Sequence, residues 1–415
     1  MKLIEVTAWN NKIALVTQVN SKIIFELQDE SFSCFSPIKF EHTNYIEANI
    51  NDVDTLGIIS DCISGAYGKT YFNKYFINEF GKSPSILDRL SFIGTNGLGA
   101  LEFEPSDTSS DIIDDIAFSL NEFKNQSIEV YNGSSNSELA KIIAKSNSGA
   151  GGAKAKGVVD YNPSTKDVLV KKQTNTPSKD GYIKCIVKFN TQTANETKRY
   201  NDELKLEYIY YLLAKKLDLK MSDSWLEKDA DGNYYFITKR FDITDDNKRL
   251  HMHSLAGILG HDASSFTMGY ESLFRVGLML NVSSLQREQM FKTMVFNIVF
   301  ANRDDHARNF SFLMDEGCNW SYAPAYDLTY SASNHNLNWH QLTIDKKPTV
   351  DVRSLGIINI AKLCDVKDPL EIITQMIELK HTALRKYCSD YGVEKSLVNM
   401  IFKDTEKIDK IFGRK

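Results

Sequence analysis

Within "FANRDDHARNFSF", residues 300–312, Asp304, Asp305, His306, Arg308 and Asn309 follow directly on the apolar run "MFKTMVFNIVF". Asp304 and Asn309 have the D-x-x-x-x-N spacing with which phosphotransferases place a carboxylate on an acceptor hydroxyl and an amide oxygen on Mg²⁺. A second metal carboxylate is expected about a strand and a turn later, and "WSYAPAYDLTYS" supplies Asp327. Phosphoryl transfer further needs a cradle for the phosphates and a cation upon them. The cradle is "SGAGGAKAK", in which Ser148, Gly149, Ala150, Gly151, Gly152 and Ala153 are small enough to let backbone N–H groups approach phosphate oxygens, with Lys156 at its end. The cation is Lys188, and Glu207 on the next predicted helix could hold its ammonium. Each piece is unspecific by itself: D-x-x-x-x-N recurs by chance, such a glycine run reads as a flexible loop, and a strand lysine is usually solvated. The ordered set Gly loop, Lys188, Glu207, Asp304, Asn309, Asp327 carries the reading.

The elements that must position these residues follow from periodicity. "KIALVTQV" and "KIIFELQ" read as strands. "YFNKYFINEFGK" reads as a helix, and "RLSFIGTNGLGALEF" as a glycine-punctuated run into a strand. The acidic "EPSDTSSDIIDD" marks a boundary near residue 105, and "SELAKIIAKS" is a helix ahead of the glycine loop. "YIKCIVKF" alternates, setting Ile183, Cys185, Val187 and Phe189 on one face and Lys184, Ile186 and Lys188 on the other. "NDELKLEYIYYLLAKKLDL" repeats at helical spacing, and "WLEKDADGNYYFITKRFDI" is a hairpin turning at Asp231-Gly232. The remainder is mainly helical, with Ser283 and Gln286 fitting a capping box. The expectation is an α+β fold in three parts: 1–110, β-rich; 111–250, with the glycine loop and lysine strand; and 251–415, helical, with the catalytic loop.

Composition narrows the partners. The chain has 415 residues, 42% hydrophobic and 25% charged, enough for large cores. A formal charge of −5 argues against general coating of nucleic acid. The six cysteines stand singly without CxxC spacing, which predicts a reducing compartment. The start "MKLIEVTAW" has no signal-peptide core and no window reaches a membrane span, so a cytoplasmic location is expected.

Other motifs carry less. "GAYGKT" at Gly65–Thr70 ends like a Walker A loop but its glycines are too close together, and a turn entering a helix is expected. "DADG" lacks the closing Glu of an EF-hand, since Thr238 stands at that place. "HMH" at His251–His253 has no HExxH or cysteine partner to make a zinc site.

Taken together, these residues resemble the HipA-like serine/threonine kinases, toxins of bacterial toxin–antitoxin modules. "NRDDHARNFSF" is similar to that family's N-x-D-D-H-x-[RK]-N catalytic loop, and "PAYDL" to its metal-binding P-x-Y-D-L. "LEYIYYLLAKKLDL" resembles its glutamate helix, "KRFDI" its R-F-D element, and the first hundred residues its N-terminal subdomain. The phosphate loop departs from S-x-x-G-G-A-R-P-K, with Lys154 and Ala155 replacing Arg and Pro. The resemblance implies a two-lobed, protein-kinase-like fold and an ATP- and Mg²⁺-dependent kinase. Asp304 would be its base, Lys188 and Glu207 its catalytic ion pair, and Asn309 and Asp327 its metal ligands. Phe236 and His306 are further expected nucleotide contacts, with His306 and Arg308 chiefly orienting the loop. Some relatives phosphorylate a serine of their own phosphate loop, for which Ser146 and Ser148 are the local candidates. The implied partners are a protein substrate, with aminoacyl-tRNA synthetases the known class, and a helix-turn-helix antitoxin through which DNA is met only indirectly. Two other readings stay open: a kinase-fold corepressor or scaffold, and a small-molecule kinase of the aminoglycoside type.

Overall fold

The computed structural model describes residues 2–63, 65–106, 115–133, 137–148, 151–152, 154–171, 176–191, 197–260, 268–331, 340–346 and 354–412. Its first sheet is antiparallel, in the order β4-β3-β2-β1-β5, from β1 (Leu3–Ala8), β2 (Asn11–Val19), β3 (Lys22–Leu27), β4 (Tyr45–Asn49) and β5 (Glu102–Glu104). Alternation turns Ile4, Val6 and Ala8 of β1, and Ile23, Phe25 and Leu27 of β3, into one core. Between β4 and β5 lie α1 (Gly57–Ser60), α2 (Ala66–Phe80) and α3 (Ile86–Ile93). Helix α2 sends Tyr71, Phe72, Tyr75 and Phe76 into the second core instead, so it crosses the boundary expected near residue 110.

The second sheet, β10-β11-β9-β7-β8-β6, is built from β6 (Ile116–Ser119), β7 (Lys156–Tyr161), β8 (Asp167–Val170), β9 (Ile183–Lys188), β10 (Ser224–Lys228) and β11 (Tyr234–Lys239). One face, with Val159, Tyr161, Cys185, Val187, Tyr235 and Ile237, shares a core with α2, α4 (Leu120–Asn132) and α5 (Ser137–Ser148). The other face sets Lys156 directly across from Lys188, and Val158 across from Ile186. The alternation expected in "YIKCIVKF" is thus the one that forms.

Helix α6 (Thr197–Lys216) ties this sheet to the helical lobe, because Leu206, Ile209, Tyr210 and Leu213 belong to the third core. Tyr210 also donates its hydroxyl to the Phe300 carbonyl at 2.6 Å, at the entrance to the catalytic loop. The helical lobe opens with β12 (His251–Ser254), α7 (Leu255–Leu259), α8 (Tyr270–Met279) and α9 (Ser284–Val299). It continues through β13 (Ser311–Met314), β14 (Trp320–Tyr322), α10 (Ser354–Leu363), α11 (Pro369–Leu379), α12 (Arg385–Asp390) and α13 (Lys395–Phe412). Helix α9 lies at the centre of the core, with Met290, Phe291, Met294, Val295 and Phe296 buried. Ser283 Oγ caps it, accepting from Gln286 N at 3.3 Å. Among the described residues no helix is long and apolar enough to cross a membrane.

One expectation needs correction. Not all six cysteines stand alone: Cys34 and Cys318 form a disulfide across 284 residues, joining the first unit to the turn between β13 and β14. Local spacing carries no sign of a pair made by tertiary contact. Cys62, Cys185, Cys364 and Cys388 are free and buried.

The same junction buries His251, whose ring lies between Phe35 and Trp320 and whose Nε2 is 2.9 Å from the Phe35 carbonyl. Burial, and then the neighbouring His253, push its pKa down to about 3. The unfolded chain protonates this imidazole below its ordinary value while the folded chain does not, so the stability it contributes is complete above that value and is lost as pH falls toward 3. Urea unfolding should therefore show His251→Gln losing about 2 kcal/mol less than the parent between pH 7.5 and pH 5. Equal losses in the two proteins would refute the assignment.

Candidate functional site

The site is organised about the Lys188 ammonium. Alternation on β9 turns it to the cleft face, where its Nζ donates to Glu207 Oε1 at 2.5 Å and pairs with the Asp327 carboxylate. Burial works against the charge of Lys188, but Asp327 and then Glu207 outweigh it and hold its pKa above the ordinary value. Burial likewise opposes ionisation of Asp327, yet Lys188 and then Lys156 keep that carboxyl well below the usual range. Lys156, across from Lys188 in register, is pulled down by burial to about 8 against the attraction of Asp327. Two cations and two carboxylates therefore meet where a phosphate chain and a divalent cation would share charge.

Phe236 also faces Lys188 across the β11–β9 pairing, with its ring centroid 5.8 Å from Nζ. At 2% exposure it flanks the ammonium.

The catalytic loop brings Asp304, His306 and Asn309 to the same cleft. Asn309 Nδ2 donates to the Asp304 carbonyl at 2.7 Å, which leaves the amide oxygen for another partner. The Asp304 side chain is 50% exposed and lies 3.8 Å from His306 Nε2. Burial of its surroundings and repulsion from Asp327 raise its pKa, against the pull of His306. His306 thus stands beside the expected base, and its Nδ1 has no hydrogen-bond partner among the described residues.

What holds the loop was not assigned from sequence. Asp305, fully buried, accepts from Tyr270 OH at 2.6 Å, from His340 Nδ1 at 2.8 Å and from Gln341 N at 2.7 Å. Asn302 Nδ2 donates to Asn297 Oδ1 at 2.9 Å and reaches the Asp327 carbonyl at 3.4 Å. Asp327 itself has φ +56, a left-handed conformation that Asp tolerates better than most side chains. Only the presence of Asn302 and Asp305 in the motif could have pointed to them.

Of the cradle, Gly151 and Gly152 are described; Gly149, Ala150, Ala153 and the Ser148 side chain lie outside the described residues. Gly152 has φ +94, a backbone conformation that strains any residue with a Cβ, which favours glycine there. Its carbonyl accepts from Tyr67 N at 3.3 Å. The "GAYGKT" stretch, set aside above, therefore supports the phosphate loop by backbone contact. Lys154 pairs with Glu203 at 3.0 Å across a cavity of about 310 Å³ beside Lys188, and its charge also acts on Asp304 and Asp327. Ser146 is buried on α5, with Oγ donating to the Val158 carbonyl at 2.8 Å.

The residues fit ATP and Mg²⁺. The Asn309 amide oxygen and the Asp327 carboxylate are the hard oxygen donors that Mg²⁺ takes, while Lys156 and Lys188 suit phosphate oxygens. Asp305 is the structural test of this geometry. Replacing it with alanine strands buried donors, so Asp305→Ala should cost about 3 kcal/mol in urea unfolding; a loss under 1 kcal/mol would show that the loop is held elsewhere.

Known proteins place this architecture. The described relative with the fuller match is the solved Shewanella oneidensis MR-1 toxin–antitoxin complex of HipA, HipB and operator DNA. It is 14% identical, covers 99% of this chain and 97% of that one, and has a TM-score of 0.66. A Helicobacter pylori proinflammatory kinase, CtkA, is 13% identical over 56% of this chain and 90% of its own, with a TM-score of 0.34. No curated protein matches the chain. The fold is α+β and two-lobed in the HipA-like manner, with a β-rich N-terminal subdomain and a mainly helical C-terminal lobe. Residues 148–388 match the family described as the HipA-like C-terminal domain, a span that holds the glycine loop, Lys188, Glu207, the catalytic loop and Asp327, and the chain belongs to that family.

Proposed function

We propose that this chain is an ATP- and Mg²⁺-dependent serine/threonine protein kinase, acting as the toxin of a toxin–antitoxin pair. The observation that carries the reading is the buried Lys188–Glu207–Asp327 cluster beside a loop that presents Asp304 and Asn309. Lys188 and Lys156 hold the phosphates, and the N–H groups around Gly151 and Gly152 line their path. Mg²⁺ held by Asn309 and Asp327 would neutralise charge on the phosphate oxygens. Asp304 takes the proton of the acceptor hydroxyl as that oxygen bonds to the γ-phosphorus and the bond to ADP breaks. The raised pKa of Asp304 makes it a better proton acceptor than an ordinary carboxylate.

The family resemblance favours a protein substrate of the translation apparatus, such as an aminoacyl-tRNA synthetase, and a cytoplasmic site of action. The Shewanella relative was solved with HipB and operator DNA, which supports a helix-turn-helix antitoxin as partner here. A formal charge of −5 fits contact with DNA through that partner and not directly.

The test is transfer of thiophosphate from ATPγS and Mg²⁺ to the chain itself or to proteins of a bacterial lysate, with the chain followed by intact mass. In ordinary Mg-ATP, self-modification should add about 80 Da per phosphate. Asp304→Asn should abolish transfer while Mg-ATP at a hundredfold excess over Kd still stabilises it by about 2.7 kcal/mol. Asp327→Asn should lose transfer as well. Transfer by Asp304→Asn at the parent rate, or none by the parent to any acceptor, would refute the kinase reading.

A further inference from the structure

The N-terminal subdomain does more than sit beside the cleft. Between Asp54 and Tyr67 it touches both halves of the site. At one end Arg308 of the catalytic loop reaches out of the cleft: NH2 donates to Asp54 Oδ1 at 2.6 Å, and NH1 lies 3.4 Å from both Asp61 Oδ1 and the Ser60 carbonyl. Asp61 is anchored in turn, accepting from His253 Nδ1, Ser254 N and Ser254 Oγ, each at 2.7 Å. The seat beneath is backbone on backbone: a Cβ on Gly57 of α1 would overlap the Gly257 carbonyl of α7, and one on Gly257 would overlap Asp61.

At the other end the same stretch meets the phosphate loop. Tyr67 N donates to the Gly152 carbonyl, and a Cβ on Gly65 would overlap Gly152 N. Tyr67 OH further donates to Asn147 Oδ1 at 3.2 Å, on the helix that leads into that loop. The loop that would carry the base and the loop that would cradle phosphate thus rest on one short stretch of chain that runs from α1 into the start of α2. Arg308 is committed to that segment, with its carbonyl also fixed by Tyr326 OH at 2.6 Å.

We propose that Asp54–Tyr67 is a brace that sets the catalytic loop against the phosphate loop, with Asp61 and Arg308 as positioning residues at one end and Gly65 at the other. Its kinetic consequences rest on the kinase reading; its structural ones do not. A misplacement of about 1 Å in a base costs up to a hundredfold in rate, whereas a displaced cradle costs nucleotide affinity. The two ends therefore carry different signatures.

The experiment uses the full chain and two readouts. In hydrogen–deuterium exchange, Arg308→Gln and Asp61→Asn should each speed exchange in the peptide spanning 302–312, and Gly65→Ala in that spanning 148–158, with α9 unchanged in all three. In Mg-ATP kinetics, Arg308→Gln should lower kcat roughly ten- to a hundredfold at nearly constant KM for ATP. Arg308→Lys should recover part of that loss, and Gly65→Ala should mainly raise KM. Because Asp61 also anchors β12, Arg308→Gln decides the question if Asp61→Asn does not fold. Unchanged exchange in 302–312 for folded Arg308→Gln, or in 148–158 for folded Gly65→Ala, would overturn the brace. A parent protein without transfer would sink the kinase reading alone, since exchange still decides whether the brace exists.

Discussion

A buried ammonium is the constraint on which the site depends. Lys188 has a side chain only 7% exposed, and such a group stays charged only beside opposite charge. Its two carboxylates arrive from different parts of the chain: Glu207 from α6, which also packs into the helical core, and Asp327 from the segment after β14. One atom on a β-strand thereby fixes the relation of three elements. Shifting any of them would leave a charge desolvated and unpaired, a larger penalty than losing a surface ion pair.

The loop that carries Asp304 and Asp305 obeys the complementary rule that buried polar groups must find hydrogen-bond partners. Asp304 and Asp305 are adjacent, yet one is half-exposed and the other fully buried, as expected where extended backbone turns successive side chains to opposite sides. The inward carboxylate gathers Tyr270, His340 and the Gln341 amide, while Asn297 Nδ2 donates to Tyr270 OH and Asn297 Oδ1 accepts from Asn302. A fully connected network of this kind specifies one geometry, because each member left unsatisfied is costly at low local dielectric. The outward carboxylate sits next to that network in the chain without being buried itself.

The division between what was legible in the sequence and what was not follows the range of the signals. The alternation of "YIKCIVKF" is local, so the inward Lys188 could be read, as could the helix carrying Glu207, whereas the register that sets Lys156 across from Lys188 could not. Motif order then brought Asp304, Asn309 and Asp327 together without any knowledge of the path between them. Pairings made only by tertiary contact left no periodic trace: Cys34 with Cys318, Asp61 with His253, and α2 with the second core. The surroundings of Phe236 and Ser146 are hidden from the sequence for a related reason. A strand aromatic and a serine near a glycine loop look available in sequence, and only packing shows the ring shut against Lys188 and the hydroxyl engaged by the Val158 carbonyl.

Arg308 explains why so charged a loop returns at once to an apolar strand. Its guanidinium lies among Asp54, Ser60 and Asp61, and Tyr326 fixes its carbonyl. Burial would raise the Asp61 carboxyl, but His253, Arg308 and Ser254 hold it below the usual range, so the anchor remains ionised over the pH range in which proteins are stable. The Arg308 charge is engaged by the N-terminal subdomain, while Lys156 and Lys188 meet Asp327. The loop's polar side chains therefore divide: Asp305 and Arg308 are engaged by the parts of the protein that hold the loop, and the Asp304 carboxylate stays half-exposed.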